Sequence, residues 1–503
     1  MRSLRCATFN DELNIVDVES TFIRGLPSFN IVGLPSQSIK ESENRIKAAL
    51  LNRGFSFPPK KIIINLSPSD LPKKGSHFDL SIALLIFLQQ EEIDSEFFVF
   101  GELGLDGLVK STATLFSHLL FLSSKVKSAK VLVPNEIANR AASIPNLEIY
   151  TVSNLDDAIQ FFRDEEFKKS CYFAKKHKIF ENVIEIDGEI YVPNYNYPLD
   201  FISVRGQKRA KRASLIAASG MHNLLFEGSP GSGKSMCAKR IRYILPPQSL
   251  DEILLASAYE SLDNKDSDFS AFRPFRSPHH TSTRGSIFGG GSQNARVGEV
   301  ALANGGELFF DELPHFPKKI LESLREPLED NRILISRVNS KICYETKFIF
   351  VAAMNPCPCG FLYSKNSDCI CSANEIKRYK NAISGPLLDR IDLYVAMDEI
   401  DKNDTSDVSS KELYKLVLKA FYAQKQRGQK ELNAKLSDDD VERFCKTSAL
   451  AKELLNSAIS RFALTQRGIN KSLKVARTIS DLRGEKEISK EAMIEALSFR
   501  VRE

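Results

Sequence analysis

The sequence predicts an α/β protein of about three domains, and three observations lead to this prediction. The chain has 503 residues, and domains contain about 150 residues on average. Short apolar runs alternate with amphipathic stretches in residues 1–162 and in residues 201–400, as is typical of strands joined by helices. Residues 401–503 instead show apolar side chains at helical spacing. We therefore expect two α/β domains, the second with a parallel sheet, followed by a helical domain.

Composition and charge are those of an ordinary soluble globular protein. Hydrophobic residues make up 43% and charged residues 26%, and the net charge of +5 does not by itself identify a nucleic-acid partner. The longest apolar run, Leu80–Leu88, is shorter than the roughly 20 residues of a membrane-spanning helix. The N-terminus lacks the apolar segment of a secretory signal. We expect a cytoplasmic protein without a membrane span, whose nine cysteines do not form a disulfide framework.

The N-terminal domain is predicted over residues 1–162, and a linker is predicted over residues 163–200. The runs "KKIIINLSP" (Lys60–Pro68) and "AKVLVPNE" (Ala129–Glu136) are typical of strands. Residues 163–200 are first charged and then rich in proline, asparagine and tyrosine, without a sustained period. This composition favours a linker or a docking segment.

A phosphate-binding loop is predicted at "NLLFEGSPGSGKS", where a strand leads into a glycine-rich turn and then into a helix. Backbone N–H groups in such a turn, together with the positive end of the following helix, bind phosphate oxygens. We expect Lys234 to reach the β- and γ-phosphates of ATP and Ser235 to bind Mg²⁺. The predicted ATP-binding residues are Gly228, Ser229, Pro230, Gly231, Ser232, Gly233, Lys234 and Ser235.

Three further polar residues follow two apolar runs that are predicted to be strands. Asp311 and Glu312 end "GELFFDE", and Asn355 ends "KFIFVAAMN". In parallel sheets, ligands bind at the edge where the strands end. We assign Asp311 to Mg²⁺, Glu312 to polarising the attacking water, and Asn355 to the γ-phosphate. Taken alone, the acidic pair could cap a helix and Asn355 could be a turn residue.

Four of the nine cysteines lie in "NPCPCGFLYSKNSDCICS", which begins at Asn355. Their thiolates can bind a tetrahedral Zn²⁺, although the C-x-C spacing is tighter than the usual C-x₂₋₄-C. Unligated or redox-active thiols are the alternative interpretation. The candidate metal ligands are Cys357, Cys359, Cys369 and Cys371.

Five motifs resemble those of the magnesium-chelatase-like AAA+ ATPases of the ComM/YifB type, and the resemblance extends over essentially the whole chain. They are "GSPGSGKS", "FRPFRSPHHTSTRGSIFGGG", "GELFFDELPHF", "AMNPCPCG" and "ISGPLLDRIDLY". The resemblance implies an AAA+ ATPase core at residues 201–400 and a helical lid at residues 401–503. It also implies a homohexameric ring in which the ATP sites lie between subunits.

Two arginines are assigned from the resemblance. Arg390 of "GPLLDRID" matches the arginine finger, which is donated to the nucleotide of a neighbouring subunit. Arg477 of "KVARTISDL" matches the sensor arginine of the helical lid. Spacing alone identifies neither, because Arg390 could equally pair with Asp389 or Asp392.

Two segments of the core are candidates for contacting DNA in the pore of such a ring. The resemblance implies an insert in the second core helix at Arg273–Glu299, and Arg332–Glu345 has the pattern of a β-hairpin. His279 and His280 of the insert could equally be structural or contact another subunit. The basic segment Arg205–Ser214 is interpreted as a solvated helix face rather than a DNA-binding patch. The candidate DNA contacts are Arg276, Arg284, Arg337 and Lys341.

The N-terminal domain resembles the proteolytic domain of Lon-type proteases in "NLSPSDLPKKGSHFDLSIALLIFL". A Ser–Lys dyad needs an amine close enough to take the hydroxyl proton. The serine position falls on His77 and the lysine position on Phe116, which predicts a non-proteolytic domain for assembly or partner binding. Ser76 and Lys74 would form a dyad if the alignment were shifted by one residue.

The combined prediction is a hexameric ATP-driven DNA motor. The resemblance implies helicase or branch-migration activity that promotes integration of incoming single-stranded DNA during natural transformation or recombination. The expected partners are single-stranded or branched DNA, further copies of the chain and recombination proteins; the expected cofactors are ATP, Mg²⁺ and a structural Zn²⁺. The cysteine loop would hold the segment between Asn355 and Arg390 in place. The alternative is a protein-remodelling or metal-chelatase motor, although a chelatase needs partner subunits that carry the porphyrin site.

Overall fold

The computed structural model describes residues 2–9, 13–91, 93–175, 178–263, 269–290, 296–336, 341–364, 366–401 and 404–500. The chain forms two compact units. The N-terminal unit comprises Met1–Glu181 and Ile253–Phe269, and the C-terminal unit comprises Asn182–Glu252 and Ser270–Glu503. Within the described residues, no helix is long and apolar enough to cross a membrane.

The N-terminal unit consists of a mixed β-sheet with helices packed against it. Its strands are β1 (Arg2–Phe9), β2 (Leu13–Ile23), β3 (Ser28–Val32), β4 (Lys61–Ser67), β5 (Phe98–Val99), β6 (Glu102–Leu103), β7 (Val109–Lys110), β8 (Ala129–Pro134) and β9 (Leu147–Val152). Its helices include α1 (Gln37–Lys40), α2 (Ser42–Asn52), α3 (Asp79–Phe87), α4 (Leu115–Lys125), α5 (Ala138–Ala141), α6 (Leu155–Arg163) and α7 (Glu165–Ser170). The main sheet has the order β3-β4-β2-β1-β5-β8-β9, in which β2 is antiparallel to β1 and β4 and the other pairs are parallel.

Apolar residues of β4 and α3 contribute to the core of this unit. Ile62, Ile64 and Leu66 are buried and alternate with half-buried residues along β4, as expected for a strand with one face on the core. Helix α3, "DLSIALLIF", is buried along almost its whole length and contacts β1 and β2. The predicted strands at Lys60–Pro68 and Ala129–Glu136 are confirmed as β4 and β8.

The C-terminal unit contains a parallel sheet, several small ribbons and a helical region. Its strands are β10 (Ile184–Ile186), β11 (Glu189–Val192), β12 (Leu224–Gly228), β13 (Gln248–Ser249), β14 (Phe275–Arg276), β15 (Gly289–Gly290), β16 (Arg296–Val297), β17 (Glu307–Phe310), β18 (Arg332–Ser336), β19 (Lys341–Glu345), β20 (Ile349–Met354) and β21 (Leu393–Met397). The helices that begin in this unit are α8 (Lys208–Gly220), α9 (Lys234–Ile241), α10 (Leu250–Asp263), α11 (Arg284–Phe288), α12 (Glu299–Leu302), α13 (Lys318–Ser323), α14 (Arg325–Asp330), α15 (Ala373–Lys380), α16 (Gly385–Leu388), α17 (Ser410–Gln426), α18 (Asp438–Phe444), α19 (Ala449–Phe462), α20 (Gln466–Arg483) and α21 (Lys490–Ser498).

The parallel sheet has the strand order β14-β17-β20-β12-β21. Every residue of β12, β17 and β20 is buried, as is typical of parallel strands covered on both faces. We call the edge at which these strands end the carboxyl edge, and the edge at which they begin the amino edge. The strand ends bring the predicted phosphate loop, Asp311, Glu312 and Asn355 to the carboxyl edge. The parallel α/β sheet expected within residues 201–400 is therefore confirmed.

The last part of the chain is helical, as its apolar spacing predicts. Helix α20 contacts α8, α17 and α21, and Ala476, Ile479 and Leu482 are buried in their common core. Leu473 is partly buried against the same core. Buried residues of the parallel strands and of the helical region belong to the same hydrophobic core. Helix α8, which directly precedes β12 in the chain, contributes to this core.

Two segments differ from what their sequences suggest. Residues 163–200, expected to be a linker, contain α7 and the antiparallel pair β10–β11, which pairs further with β13. The basic segment Arg205–Ser214 runs into α8, and its basic face is not simply solvated. Lys211 is 2% exposed and bonds Asp407, and Arg212 also forms an ion pair. These partners are distant in sequence, so the local charge pattern does not reveal them.

Candidate nucleotide-binding site

The predicted phosphate loop joins β12 to α9 at the carboxyl edge. Gly231 and Gly233 have φ angles of +80° and +91°, which residues with a Cβ rarely adopt. Lys234 is 8% exposed, and its Nζ donates to the carbonyls of Gly228 at 2.6 Å and Ser229 at 2.9 Å. Burial lowers the pKa of Lys234, and nearby carboxylates partly oppose this effect. The ammonium group is thus held within the loop, where a P-loop lysine binds phosphate.

Ser235 and Asp311 lie together at the carboxyl edge. Ser235 is in the first turn of α9, and Asp311 follows the last residue of β17. The Ser235 hydroxyl donates to Asp311 Oδ2 at 2.8 Å. Hydroxyl and carboxylate oxygens are ligands that suit Mg²⁺. This pair therefore fits the predicted metal, although the metal-binding role of each residue stays a prediction.

Glu312 and His280 lie next to this pair. Glu312 has a φ of +52°, and such strain in a residue with a Cβ is concentrated at functional sites. The Glu312 side chain is 56% exposed, and its Oε2 lies 3.5 Å from His280 Nδ1. An exposed carboxylate near the phosphate loop can take a proton from water. The sequence left the role of His280 open, and the structure places it beside the predicted catalytic glutamate.

Asn355 directly follows β20, and its backbone is fixed by Tyr379. The Tyr379 hydroxyl is hydrogen-bonded to the Asn355 backbone, and burial raises the pKa of Tyr379 to about 12. The Asn355 side chain lies near Gly360, where an added Cβ would be 3.8 Å from Asn355 Cγ. Asn355 is therefore held at the carboxyl edge, and its contact with the γ-phosphate stays a prediction.

A buried polar network surrounds the last part of β12. Glu227, the residue before Gly228, is 4% exposed. Its carboxylate accepts a hydrogen bond from the Tyr394 hydroxyl at 2.6 Å and lies 3.3 Å from Lys380 Nζ. Sequence reasoning missed this network because its members lie on β12, α15 and β21. The one available signal was an acidic residue at the end of an apolar strand, since a buried charge needs partners.

Arg390 lies at the amino edge, across the sheet from the phosphate loop. Leu393, three residues later, pairs with Leu224 at the beginning of β12, whereas Met397 pairs with Gly228. The strand rises about 3.3 Å per residue, so the pairs at its two ends are roughly 13 Å apart. Arg390 therefore lies near the beginning of β12, whereas the phosphate loop of the same chain lies at the end of that strand.

The partners of Arg390 are now defined. It is 7% exposed, donates to the carbonyls of Arg325 at 3.2 Å and Pro386 at 2.6 Å, and forms an ion pair with Glu329. Asp392, one of the partners suggested by spacing, instead accepts a hydrogen bond from the Asn223 backbone N–H at 2.8 Å. The finger role of Arg390 stays a prediction.

Two arginines of α20 have different surroundings. Arg477, the predicted sensor, is fully buried and bonds Asp481 and two backbone carbonyls near the end of the helix. Arg467, in the first turn, is 41% exposed and pairs with Glu329 and, at 3.4 Å, with Asp389. The guanidinium of Arg477 is therefore committed to the helical core. Its sensor role is still only a prediction.

Sequence reasoning missed Arg467, which shares Glu329 with Arg390. The two guanidinium groups are thus gathered at one point of the amino edge. A signal was present, because a cation in the first turn of a helix is opposed by the helix dipole. Thr465 caps this helix, so Arg467 occupies an electrostatically unfavourable position.

The four predicted metal-ligand cysteines converge. Their Sγ atoms all lie within 4.8 Å of one another. Cys357 Sγ is 3.4 Å from Cys359 Sγ and 3.6 Å from Cys369 Sγ, and Cys371 Sγ accepts a hydrogen bond from the Cys359 N–H at 3.4 Å. The cluster could hold a metal ion, because four thiolates in this arrangement form a tetrahedral site.

The predicted DNA contacts lie on separate elements. Arg276 is on the edge strand β14 and forms an ion pair with Glu299. Arg284 begins α11, and its Nε donates to Ser323 Oγ at 3.3 Å beside a cavity of about 830 Å³. The expected hairpin is confirmed by the pairing of β18 with β19, but Arg337 lies outside the described residues. Lys341 begins β19.

The proposed dyad region of the N-terminal unit contains two buried histidines. The rings of His77 and His118 have their centroids 4.6 Å apart. Burial, and secondly the charge of His118, lower the pKa of His77 to about 3. The Ser76 hydroxyl donates to Glu102, a carboxylate rather than an amine. The lack of proteolytic activity and the Lon-type fold remain predictions.

Comparisons with known proteins cover nearly the whole chain. The family described as "Magnesium chelatase, subunit ChlI" matches residues 200–405, its C-terminal region matches residues 407–500, and "Subunit ChlI of Mg-chelatase" matches residues 18–137. Competence protein ComM of Haemophilus influenzae is 35% identical over 98% of this chain and 96% of its own. The uncharacterised YifB proteins of Salmonella typhimurium and Escherichia coli are each 34% identical over 96% of this chain and 94% of their own. The chain therefore belongs to the ComM/YifB-type, magnesium-chelatase-like protein family.

Proposed function

We propose that this protein is an ATP-hydrolysing ring motor that acts on single-stranded or branched DNA. The observation that carries the proposal is the separation of Lys234 and Arg390 on opposite edges of one sheet. An arginine at the amino edge can stabilise charge on a transferred phosphoryl group only at the carboxyl edge of another copy. An ATP site shared between copies is what a ring motor requires.

The carboxyl edge supplies the groups that bind and activate ATP. Lys234 would hold the β- and γ-phosphates, while Ser235 and Asp311 would hold Mg²⁺, which supplies positive charge next to the phosphates. Glu312 would orient and deprotonate the attacking water, and Asn355 would donate to the γ-phosphate. The 2.8 Å contact of Ser235 with Asp311 and the exposure of Glu312 support these roles.

The amino edge supplies the groups that act on the neighbouring nucleotide. Arg390 would reach the γ-phosphate of the adjacent copy, where a finger accelerates hydrolysis by about 10³ to 10⁵. Arg467 shares Glu329 with Arg390 and would assist it there. Their release from Glu329 on binding of a neighbour would couple ring assembly to hydrolysis. The hexamer itself is proposed from the family resemblance.

Two hairpins support the DNA half of the proposal. The pair β15–β16 belongs to the insert at Arg273–Glu299. Strand β15 contacts β18, which forms the second hairpin with β19. Neighbouring hairpins on each subunit of a ring could line its pore. Arg284, Arg337 and Lys341 would contact phosphates there, which would make binding strongly dependent on salt. Arg276 would act less directly, because it is paired with Glu299.

The name of the Haemophilus relative, competence protein ComM, supports natural transformation as the biological setting. A motor at a branch point would help an incoming single strand to pair with the chromosome, with recombination proteins as partners in the cytoplasm. The magnesium-chelatase descriptions of the matching families favour a second candidate, a protein-remodelling or chelatase-type motor. Both candidates use the same ATP site and differ in their substrate.

The decisive experiment combines ATP with the purified protein and a labelled three-strand branched DNA at moderate salt. We expect DNA-stimulated hydrolysis and strand displacement, and neither in the Lys234→Ala control. Hydrolysis without stimulation or displacement by any branched or single-stranded DNA would reject the DNA motor and favour the second candidate. Absence of hydrolysis in the wild type would reject the motor altogether.

A further inference from the structure

The cysteine cluster has the dimensions of a zinc site. With Zn–S bonds of about 2.3 Å, a tetrahedral site places its sulfur atoms about 3.8 Å apart. The distances from Cys357 Sγ to Cys359 Sγ, and from each of these to Cys369 Sγ, are 3.4, 3.6 and 3.6 Å. They are far longer than the roughly 2.05 Å of a disulfide. The thiols are therefore arranged around a common centre rather than in pairs.

The backbone next to the cluster packs directly on the phosphate loop. Gly360 follows Cys359, has a φ of +85°, and its N–H donates to the Cys357 carbonyl at 3.0 Å. A Cβ on Gly360 would lie 2.7 Å from Cδ and 2.8 Å from Cγ of Pro230. Such distances are below van der Waals contact, so only glycine allows this approach. The turn that carries two of the thiols is thus in close contact with the ATP-binding loop.

A second connection runs from the cysteine loop to β12. Lys380 Nζ donates to the Tyr363 hydroxyl at 3.4 Å and lies 3.3 Å from the carboxylate of Glu227. Glu227 immediately precedes Gly228, the first residue of the phosphate loop. Movement of the cysteine loop would therefore be felt at both Pro230 and Glu227.

Apart from these contacts, the middle of the loop is held by hydrogen bonds from Ser364 and Asn366 to the carboxylate of Glu399. The described residues between Asn355 and Ser372 contain neither helix nor strand. Ile370, between the last two thiols, is 87% exposed, and Tyr363 is 57% exposed. A segment with so little burial cannot stabilise one conformation through an apolar core. A metal that crosslinks both of its ends supplies this constraint, because binding energy at such sites stabilises the folded form.

We propose that Cys357, Cys359, Cys369 and Cys371 bind one Zn²⁺ and that the zinc-held loop braces Pro230, so that nucleotide affinity depends on zinc occupancy. The inference rests on the ATP-binding part of the proposed function and is independent of DNA. Loss of zinc releases Gly360 from its contact with the phosphate loop. The loop then no longer holds its N–H groups in the orientation that binds phosphate. Zinc is structural here, since four protein thiolates leave no open coordination position for substrate.

The test measures zinc content and affinity for a fluorescent ADP analogue in the full-length chain, with Mg²⁺ present throughout. The protein is purified without chelator, stripped with a zinc-selective chelator under reducing conditions, and then reloaded with Zn²⁺. We expect one zinc per chain, roughly a tenfold loss of ADP affinity on stripping, and recovery on reloading. Cys369→Ser with Cys371→Ser should behave like the stripped protein. Cys343→Ser, at an exposed thiol outside the cluster, should behave like the wild type.

Gly360→Ala separates the brace from the metal. It should keep one zinc per chain and still lose ADP affinity, because the added Cβ displaces Pro230. Zinc far below one per chain after reloading overturns the metal site. Zinc-independent ADP affinity in the wild type, together with unchanged affinity in Gly360→Ala, overturns the brace but leaves the proposed function intact. If zinc-loaded wild type binds no ADP, both this inference and the proposed ATP site fail.

Discussion

The two edges of the parallel sheet are built for different purposes. At the carboxyl edge, Lys234, Ser235 and Asp311 contact one another or the phosphate loop within a single chain. At the amino edge, Arg390 and Arg467 converge on one carboxylate, that of Glu329, with roughly 13 Å of strand between them and their own loop. The first edge gathers the residues predicted to bind ATP, whereas the second gathers guanidinium groups that are paired with carboxylates.

If the proposed function is correct, this difference means that one chain carries two halves of different sites. Glu329 and Asp389 pair with these two guanidinium groups, so an incoming phosphate would compete with the carboxylates for the same donors. A second copy docked with its carboxyl edge against this amino edge would bring that phosphate.

Arg390→Ala should reduce ATP hydrolysis by about 10³ or more, because it removes the guanidinium that stabilises charge on the transferred phosphoryl group. Binding of a fluorescent ADP analogue to isolated chains should be unchanged, since Arg390 is remote from the phosphate loop of its own chain. Steady-state hydrolysis and nucleotide titration check the two parts. A variant that loses nucleotide binding as well as hydrolysis would contradict the division between the edges.

Glu312→Gln should lower hydrolysis by about 10² to 10⁴ while ATP remains bound, because the amide cannot accept a proton from the attacking water. The measurement is single-turnover hydrolysis beside an ATP-binding titration. His280→Ala is the matched comparison, since its imidazole lies 3.5 Å from Glu312 but is not assigned as the base, and this variant should lose less activity than Glu312→Gln. Full activity in Glu312→Gln would assign the base elsewhere.

Arg467→Ala and Arg477→Ala should have opposite profiles. Arg467 is 41% exposed at the amino edge, so its loss should reduce hydrolysis about tenfold with little change in stability. Arg477 is fully buried with Asp481, and removing one partner of a buried pair costs about 3 kcal/mol of unfolding free energy. Denaturant unfolding and hydrolysis assays on both variants check this. A stable Arg477→Ala protein that hydrolyses ATP poorly would support the predicted sensor role of Arg477 over a purely structural one.

Tyr394→Phe should have the smallest effect, a loss of about 1 kcal/mol of unfolding free energy. It removes the 2.6 Å hydrogen bond to Glu227 but leaves Lys380 as a charged partner. A thermal or denaturant unfolding curve measures the change. Tyr422→Phe, at a partly exposed ring on α17, serves as the control and should leave stability unchanged.

The carboxyl edge could be predicted from the sequence, and the amino edge largely could not. An apolar strand precedes each of the phosphate loop, Asp311 and Asn355. Parallel strands bring their carboxyl ends to one edge of the sheet in any strand order. Arg467 and Glu329 meet because two helices far apart in sequence pack at one place, which no local pattern encodes. The burial of Lys211 has the same cause, since its partner Asp407 is distant in sequence. Arg477 differs, because Asp481 lies one turn later on the same helix, and only the burial of this pair depends on the packing of α20 against other helices.

The cysteine loop lies between these cases. Its four thiols could be recognised from spacing, and their convergence followed. The approach of Gly360 to Pro230 could not be predicted, because it depends on the path of an irregular loop with no periodic pattern.

Mixing Lys234→Ala with Arg390→Ala tests the shared site most directly. Each variant alone should be nearly inactive, one for lack of phosphate binding and the other for lack of the finger. In a mixed assembly, an intact phosphate loop of one variant meets the intact Arg390 of the other. The account predicts that ATP hydrolysis recovers to a substantial fraction of the wild-type rate on mixing. Mixed assemblies of verified composition that do not hydrolyse ATP would contradict it.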